Sequence, residues 1–297
     1  MACVDKDGIV FQRKTMLSVA SGERGLRQSD GVFLHVRHLE SLFNELFDAA
    51  CGRPIAAVAV SARPTDAPDS YMPVFLAGVA GAAAAAGALR VPLIKTSHQR
   101  GHIRAALLGN EVLLKERSFL ALHLSGGTTD MLRVETERGR IAAVERIGGS
   151  EDLHVGQMVD RVGVGLGLDF PAGPALECLA RQALRRNIRL PAAVRGLTCS
   201  FSGPESQAQR LMAGGAERAE IAFGVYDCIA RTVGRLIEAA GASEALLVGG
   251  VAGSALLTEL LARRTQAKLR RSETGLSGDN AVGVALLGLE EAEGREV

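Results

Sequence analysis

The sharpest chemical signal in this 297-residue chain is His98-Gln99-Arg100-Gly101-His102. Histidines at i and i+4 of a helix share one face. Two imidazoles so placed can ligate one metal ion; the other reading is a pair of half-exposed helix histidines. A metallopeptidase is weakly supported, because that chemistry needs the glutamate of HExxH and Gln99 stands in its place. Ser125-Gly126-Gly127-Thr128-Thr129 lies between two strand-like runs. Such a turn can wrap phosphate through its backbone N–H groups, or it can simply close a hairpin. Gly249-Gly250-Val251-Ala252-Gly253-Ser254 follows a strand and precedes a helix. Small residues there admit a nucleotide to the backbone, with phosphate near the helix N-terminus; tight strand–helix packing would use the same residues. Gly163, Gly165 and Gly167 imitate a dinucleotide fingerprint but follow a helix, not a strand. No GxSxG elbow and no GxxxxGK[ST] loop occurs, so a serine hydrolase and a P-loop NTPase lack local support. Asp279 opens the last helix, where aspartate commonly caps. Asp152, Asp160 and Glu177 fall on central helices, where carboxylates are usually solvated.

Positioning these residues requires two successive runs of strands and helices. Ile9 to Ser18 reads as a strand closing a hairpin at Asp5-Lys6-Asp7-Gly8. Apolar residues at helical spacing predict a helix over Asp30 to Ala50. A strand Ile55 to Ser61, an Ala/Gly helix, a strand Val91 to Ile94 and a helix from His98 to Leu108 follow. The second run restarts with a meander: Phe119 to Leu124, Asp130 to Thr136 and Ile141 to Arg146. Helices are expected at Asp152 to Leu166, Pro174 to Leu184, Glu205 to Met212 and Ala216 to Ala240. A strand Ala245 to Val248, a helix Ser254 to Arg263, a strand Ala267 to Arg270 and a helix Asp279 to Glu291 close the chain. The pattern predicts an α/β protein of two similar lobes with a cleft between them. The boundaries are 1–115 and 116–297, with the last helix able to pack back on the first lobe.

Composition narrows the function classes. The 34 Lys+Arg against 33 Asp+Glu leave a formal charge of +1, so contact with nucleic acid or anionic membrane requires a local patch. With no Trp and 4% aromatic residues, a stacking platform for single strands is not expected. Five cysteines without CxxC spacing argue against a disulfide framework and a zinc knuckle, and fit a reduced, cytoplasmic setting. Met72 to Leu89 is free of charge for nearly a membrane span, but its Ala and Gly insert weakly, so a buried helix is expected.

Taken in order, these motifs resemble one family: HxxxH, strand-SGG-T, D-x7-D, GP-x2-E, SFSG, strand-GGVA and GDNA. Together they are similar to the TsaD-type tRNA N6-adenosine threonylcarbamoyltransferases, also known as the glycoprotease or M22 peptidase family, from about Gly8 to Gly288. The resemblance implies the ASKHA fold of actin, Hsp70 and sugar kinases. It implies one divalent metal, Fe or Zn, on His98, His102 and Asp279, with His123 where some members carry a metal-binding Tyr. It places ATP or an adenylate against Ser125, Gly126, Gly127 and Thr128 (phosphate), Asp152, Gly173 and Glu177 (ribose), and Gly249 and Gly250 (adenosine), with Ser254 also in the nucleotide-binding set. It implies transfer of a carbamoyl-type group from an adenylate, with tRNA and a paralogous protein as partners and no membrane. No residue is assigned as catalytic. The sequence departs from the pattern in several places. A first strand of the form GIDTS is missing ahead of the hairpin, Ser254 stands where an Asn is expected, Pro204-Glu205 replaces Leu-Lys after SFSG, and the segment 25–30 is atypical. These departures point to a divergent paralogue, with a non-catalytic nucleotide- or partner-binding protein as the alternative and a metallopeptidase as a remote one.

Overall fold

A computed structural model describes residues 1–17, 26–272, 276 and 280–295. The chain divides into two compact units, Met1–Gly109 with Asp279–Val297, and Asn110–Gly278.

In the first unit, β1 (Ala2–Asp5) and β2 (Gly8–Gln12) form an antiparallel hairpin. Asp5 stabilises its turn by accepting from the N–H groups of Asp7 at 2.9 Å and Gly8 at 3.1 Å. The expected strand to Ser18 stops at Gln12, and Ser18 lies outside the described residues. Helix α1 (Gln28–Ala49) follows, then β3 (Val58–Arg63), α2 (Phe75–Leu89), β4 (Leu93–Ser97) and α3 (His98–Ala106). β3 and β4 pair in parallel as a separate two-stranded sheet. β4 begins later than the expected Val91, because Pro92 has no N–H to give; its carbonyl accepts from Val58 N at 3.0 Å. α2 carries no charge and buries Ala77, Ala82 and Ala86. Among the described residues, no helix is long and apolar enough to cross a membrane. The unit is completed by α9 (Ala281–Arg295), which packs on α3, β1 and β3.

The second unit is built on a seven-stranded sheet in the order β11-β10-β5-β6-β7-β9-β8. β5 (Ser118–Leu124), β6 (Thr129–Glu137) and β7 (Arg140–Ser150) form the antiparallel meander. On its other edge β5 pairs in parallel with β10 (Glu244–Val248), and β10 with β11 (Lys268–Arg271). β7 runs past the expected Arg146, because Gly149 N donates to Leu197 O at 2.9 Å and joins β9 (Thr198–Ser200) to the edge. β9 and β8 (Ala193–Arg195) make a short hairpin that the sequence pattern did not announce. The helices are α4 (Val155–Gly165), α5 (Gly173–Arg181), α6 (Ser202–Ala213), α7 (Arg218–Ala239) and α8 (Ala255–Ala262). α7 is the central helix of the core: Ile221, Val225, Ile229, Val233 and Ile237 are fully buried at i, i+4 spacing. α5 ends at Arg181 instead of the expected Leu184. The backbone N–H groups of Arg185 and Asn187 turn instead to the buried Glu220 carboxylate, at 2.7 and 3.1 Å.

Candidate functional site

Parallel pairing fixes the geometry of the two glycine turns. His123 of β5 stands opposite Val248 of β10, so Ser125–Thr128 and Gly249–Gly250 leave the sheet at the same end of neighbouring strands. That end is where open α/β sheets place ligands. The first turn is closed by Ser125 N donating to Thr128 O at 2.9 Å. It is backed by the N-terminus of α4. Gly156 N donates to Ser125 O at 3.1 Å, and Val155 N donates to Thr129 Oγ1 at 2.7 Å. A β-carbon on Gly156 would lie 2.6 Å from Gly126 Cα and N, so glycine is required for the helix to sit this close. The positive end of the α4 dipole thereby faces the turn. On the outer side, β-carbons at Gly126 and Gly127 would meet nothing within 4 Å.

The second turn is equally constrained. Gly249 has φ +98, and a β-carbon there would lie 2.6 Å from Leu124 O and 3.0 Å from His123 Cδ2; only glycine combines that φ with that approach. Gly250 beside it faces open space. The chain then enters α8, where Ser254 Oγ accepts from Leu257 N at 3.1 Å as the N-cap. Glu177 Oε1 accepts from Leu256 N at 2.8 Å, so a carboxylate of α5 also sits on this helix N-terminus. Tyr226 of α7 donates to Gly173 O at 3.0 Å. Burial raises its phenol above the usual range, the nearby Glu177 charge adds to that, and a hydrogen bond with Ser254 opposes it. Gly173, Glu177, Ser254 and Tyr226 are therefore one connected group.

Two carboxylates differ sharply. Asp152 Oδ1 accepts from Phe201 N at 3.0 Å and Leu153 N at 2.5 Å, and Oδ2 accepts from Ser200 Oγ at 2.5 Å and from the Ser202 hydroxyl. Burial alone would raise its pKa, but hydrogen bonds from Ser200, Ser202, Phe201 and Leu153 together hold it well below the carboxylate range. Asp152 thus organises the Ser-Phe-Ser segment between β9 and α6. Asp160, which the motif contained but the site expectation passed over, accepts from Ala172 N at 2.8 Å, one residue before Gly173. Burial raises its carboxyl, against the Ala172 hydrogen bond. Its signal in the sequence was the second position of D-x7-D.

In the first unit, α3 starts at Ser97, whose hydroxyl accepts from Arg100 N at 3.1 Å. It brings His98 and His102 together, with Nε2 atoms 3.1 Å apart and rings edge to face. Burial lowers the His98 pKa, which favours the neutral ring. The Asn280 side-chain amide meets His98 Nδ1. The atom in contact is the amide nitrogen, which also donates to Ser61 Oγ at 3.1 Å. α9 comes this close because a β-carbon on Gly283 would fall 1.8 Å from Gly101 O. An ion pair, Arg104 Nε to Glu290 Oε1 at 2.5 Å, ties the same two helices. Asp279 lies outside the described residues, and His123 is buried in the second unit beside Gly249. Among the described residues no group of three or more His, Cys, Asp or Glu side chains is arranged to hold a metal. A pair of facing imidazoles does fit a borderline divalent ion as part of a donor set.

The model of the family described as tRNA N6-adenosine threonylcarbamoyltransferase matches residues 33–286. The chain belongs to that family. The Archaeoglobus fulgidus protein named tRNA N6-adenosine threonylcarbamoyltransferase is 29% identical over 96% of this chain and 85% of its own length. A Methanothrix thermoacetophila protein of the same name is 31% identical over 97% of this chain and 86% of its own. The expected ASKHA architecture also stands. A solved Thermococcus structure, T. kodakarensis HypF, superposes with a TM-score of 0.58 at 16% identity over 73% of this chain and 39% of that one, a likeness of fold alone. The family is one of transferases, as its name states.

Proposed function

We propose that this chain is a metal-dependent, adenine-nucleotide-binding transferase that moves a carbamoyl-type group from an adenylate to the N6 amine of an adenosine in tRNA. One observation carries the nucleotide part. Two glycine turns leave adjacent parallel strands at the same end, one backed by the N-terminus of α4 and the other leading into the capped N-terminus of α8. The backbone N–H groups of Gly126 and Gly127, with the Ser125 and Thr128 hydroxyls, take the phosphate. Gly249 and Gly250 let the adenosine lie against the backbone. Glu177, Gly173 and Asp160 take the ribose hydroxyls. The family resemblance sets Asp152 there as well; with its oxygens already accepting from residues 153 and 200–202, its part in this reading is to hold that wall of the site.

In the transfer, the N6 lone pair forms a bond to the carbamoyl carbonyl carbon. The bond from that carbon to the phosphate oxygen breaks, AMP leaves with the electron pair, and the amine proton passes to solvent. His98 and His102, with Asp279, would hold the divalent metal, Fe or Zn; when bound it supplies Lewis-acid polarisation of the carbonyl. The chain's own contribution is to fix the adenylate rigidly, since orientation alone can supply much of the acceleration for such a transfer.

Calorimetry with ATP and AMP tests the nucleotide site. Valine at Gly127 or Gly250 projects into open space, so both variants fold, while the ligand's room is filled. Gly127→Val and Gly250→Val should each bind at least about tenfold more weakly, a loss of roughly 1.4 kcal/mol. Wild-type affinity in both would put the nucleotide elsewhere.

A further inference from the structure

Between Glu177 and Glu205 the chain carries no acidic residue and five arginines, Arg181, Arg185, Arg186, Arg189 and Arg195. In a protein of formal charge +1 this is a concentrated local charge. The segment 183–192 has no regular structure of its own but is laid along α7 and fixed to it at successive turns. Glu220 accepts from the N–H groups of Arg185 and Asn187. Arg186 is held in a left-handed conformation, φ 53, with its guanidinium 4.9 Å from the Phe223 ring centre. A β-carbon on Gly224 would touch Ile188 Cγ2 at 2.9 Å. Cys228 donates to Pro191 O at 3.0 Å, Arg231 donates to Leu190 O, and Arg235 donates to Ala192 O at 2.9 Å.

This strap has a course fixed by α7 and carries exposed arginines. Arg181 is engaged by Glu177 and Glu259. By contrast, Arg185, Arg189 and Arg195 are exposed, and their guanidinium groups make no hydrogen bond or ion pair with any described residue. The nearby acids are already committed. Glu220 is buried under the strap's own N–H groups, which hold it ionised against burial, and Asp227 is clamped by Arg231 at 2.7 Å and by Arg264. Unpaired arginines on a fixed backbone, beside acids already engaged elsewhere, are suited to the phosphates of a polyanion. The strap begins just after α5, which carries Glu177, and is laid along α7.

We propose that this strap, with the end of β8 that follows it, is an RNA-docking surface, in which Arg185, Arg189 and Arg195 contact the sugar-phosphate backbone of the acceptor tRNA. The proposal rests on the transferase reading above and names where its acceptor is held. Phosphate contacts position a nucleic acid without reading its sequence, so this surface supplies affinity and orientation, and the choice of adenosine belongs to the site.

The test is binding of an unmodified tRNA transcript to the full chain across a series of salt concentrations, with AMP affinity and melting temperature measured on the same samples. Arg185→Gln/Arg189→Gln/Arg195→Gln should bind tRNA at least about tenfold more weakly near 100 mM salt, with the log–log salt slope shallower by about 2–3. AMP affinity and melting temperature should be unchanged. The charge-matched variant Arg37→Gln/Arg90→Gln/Arg138→Gln, also exposed but elsewhere, should bind tRNA as the wild type does. Wild-type affinity and slope in the strap variant, or an equal loss in the control variant, overturns the proposal while leaving the nucleotide site standing. A wild-type chain that binds AMP but no tRNA overturns it together with the tRNA acceptor. A chain that binds neither removes the transferase reading itself.

Discussion

Asp152 shows how a carboxylate can hold a segment of the fold in place. Four hydrogen bonds from Ser200, Ser202, Phe201 and Leu153 outweigh its burial and depress its pKa. A group whose folded pKa is depressed stabilises the fold above its unfolded value, near 3.9, and that contribution is lost as pH falls through the folded value. Asp152→Asn should therefore melt below the wild type at pH 7, and the gap should narrow as the pH is lowered beneath about 4, closing only at the much lower folded value. Thermal melts at pH 7 and pH 3 check this; a gap that stays constant would mean that the ionised carboxylate is not the source. The residue types of the site were largely legible, because glycine turns and histidine spacing are local features. Which carboxylate lies beside Gly173 was not. Asp152 and Asp160 look alike on a helix pattern, and only the fold shows Asp152 turned to the Ser-Phe-Ser segment and Asp160 to Ala172.

Element by element, long helices with clear periodicity fell close to their expected places, α1 and α7 among them. The β8–β9 hairpin escaped because its strands, Ala193–Arg195 and Thr198–Ser200, are too short to show alternation. α5 was expected to be too long because nothing local says that the backbone after Arg181 is captured by Glu220, far along the chain. α3 was legible as a helix that places two histidines on one face, and the structure brings their Nε2 atoms to 3.1 Å. The element-scale prediction follows from that pairing. Purified wild-type protein should carry about one equivalent of Fe or Zn by elemental analysis, and His98→Ala/His102→Ala should lose most of it, since removal of two of three or four ligands leaves no stable site. Equal metal content in the two proteins would show that α3 is not the metal helix.

At the scale of the whole chain, the proposed transfer draws on a sheet end and an arginine strap in the second unit and a histidine helix in the first. Family membership over residues 33–286 and the ASKHA fold set that frame. Within it, Ser254 and Pro204-Glu205 depart from the motif pattern, and the structure gives both a local role. Ser254 caps α8, Pro204 is buried in the first turn of α6, and Glu205 lies in the same turn, where an acid suits the dipole. Each of these departures fits its own helix, and an active transferase is the expected outcome. The decisive measurement is product formation. Wild-type protein, threonylcarbamoyl-adenylate and an unmodified tRNA transcript are incubated, the tRNA is digested, and nucleosides are read by mass spectrometry. The account predicts N6-threonylcarbamoyladenosine from the wild type and little from Gly127→Val. A wild-type protein that binds AMP and tRNA, and carries its metal, yet forms no modified adenosine would contradict it and mark the chain as a binding protein built on a transferase fold.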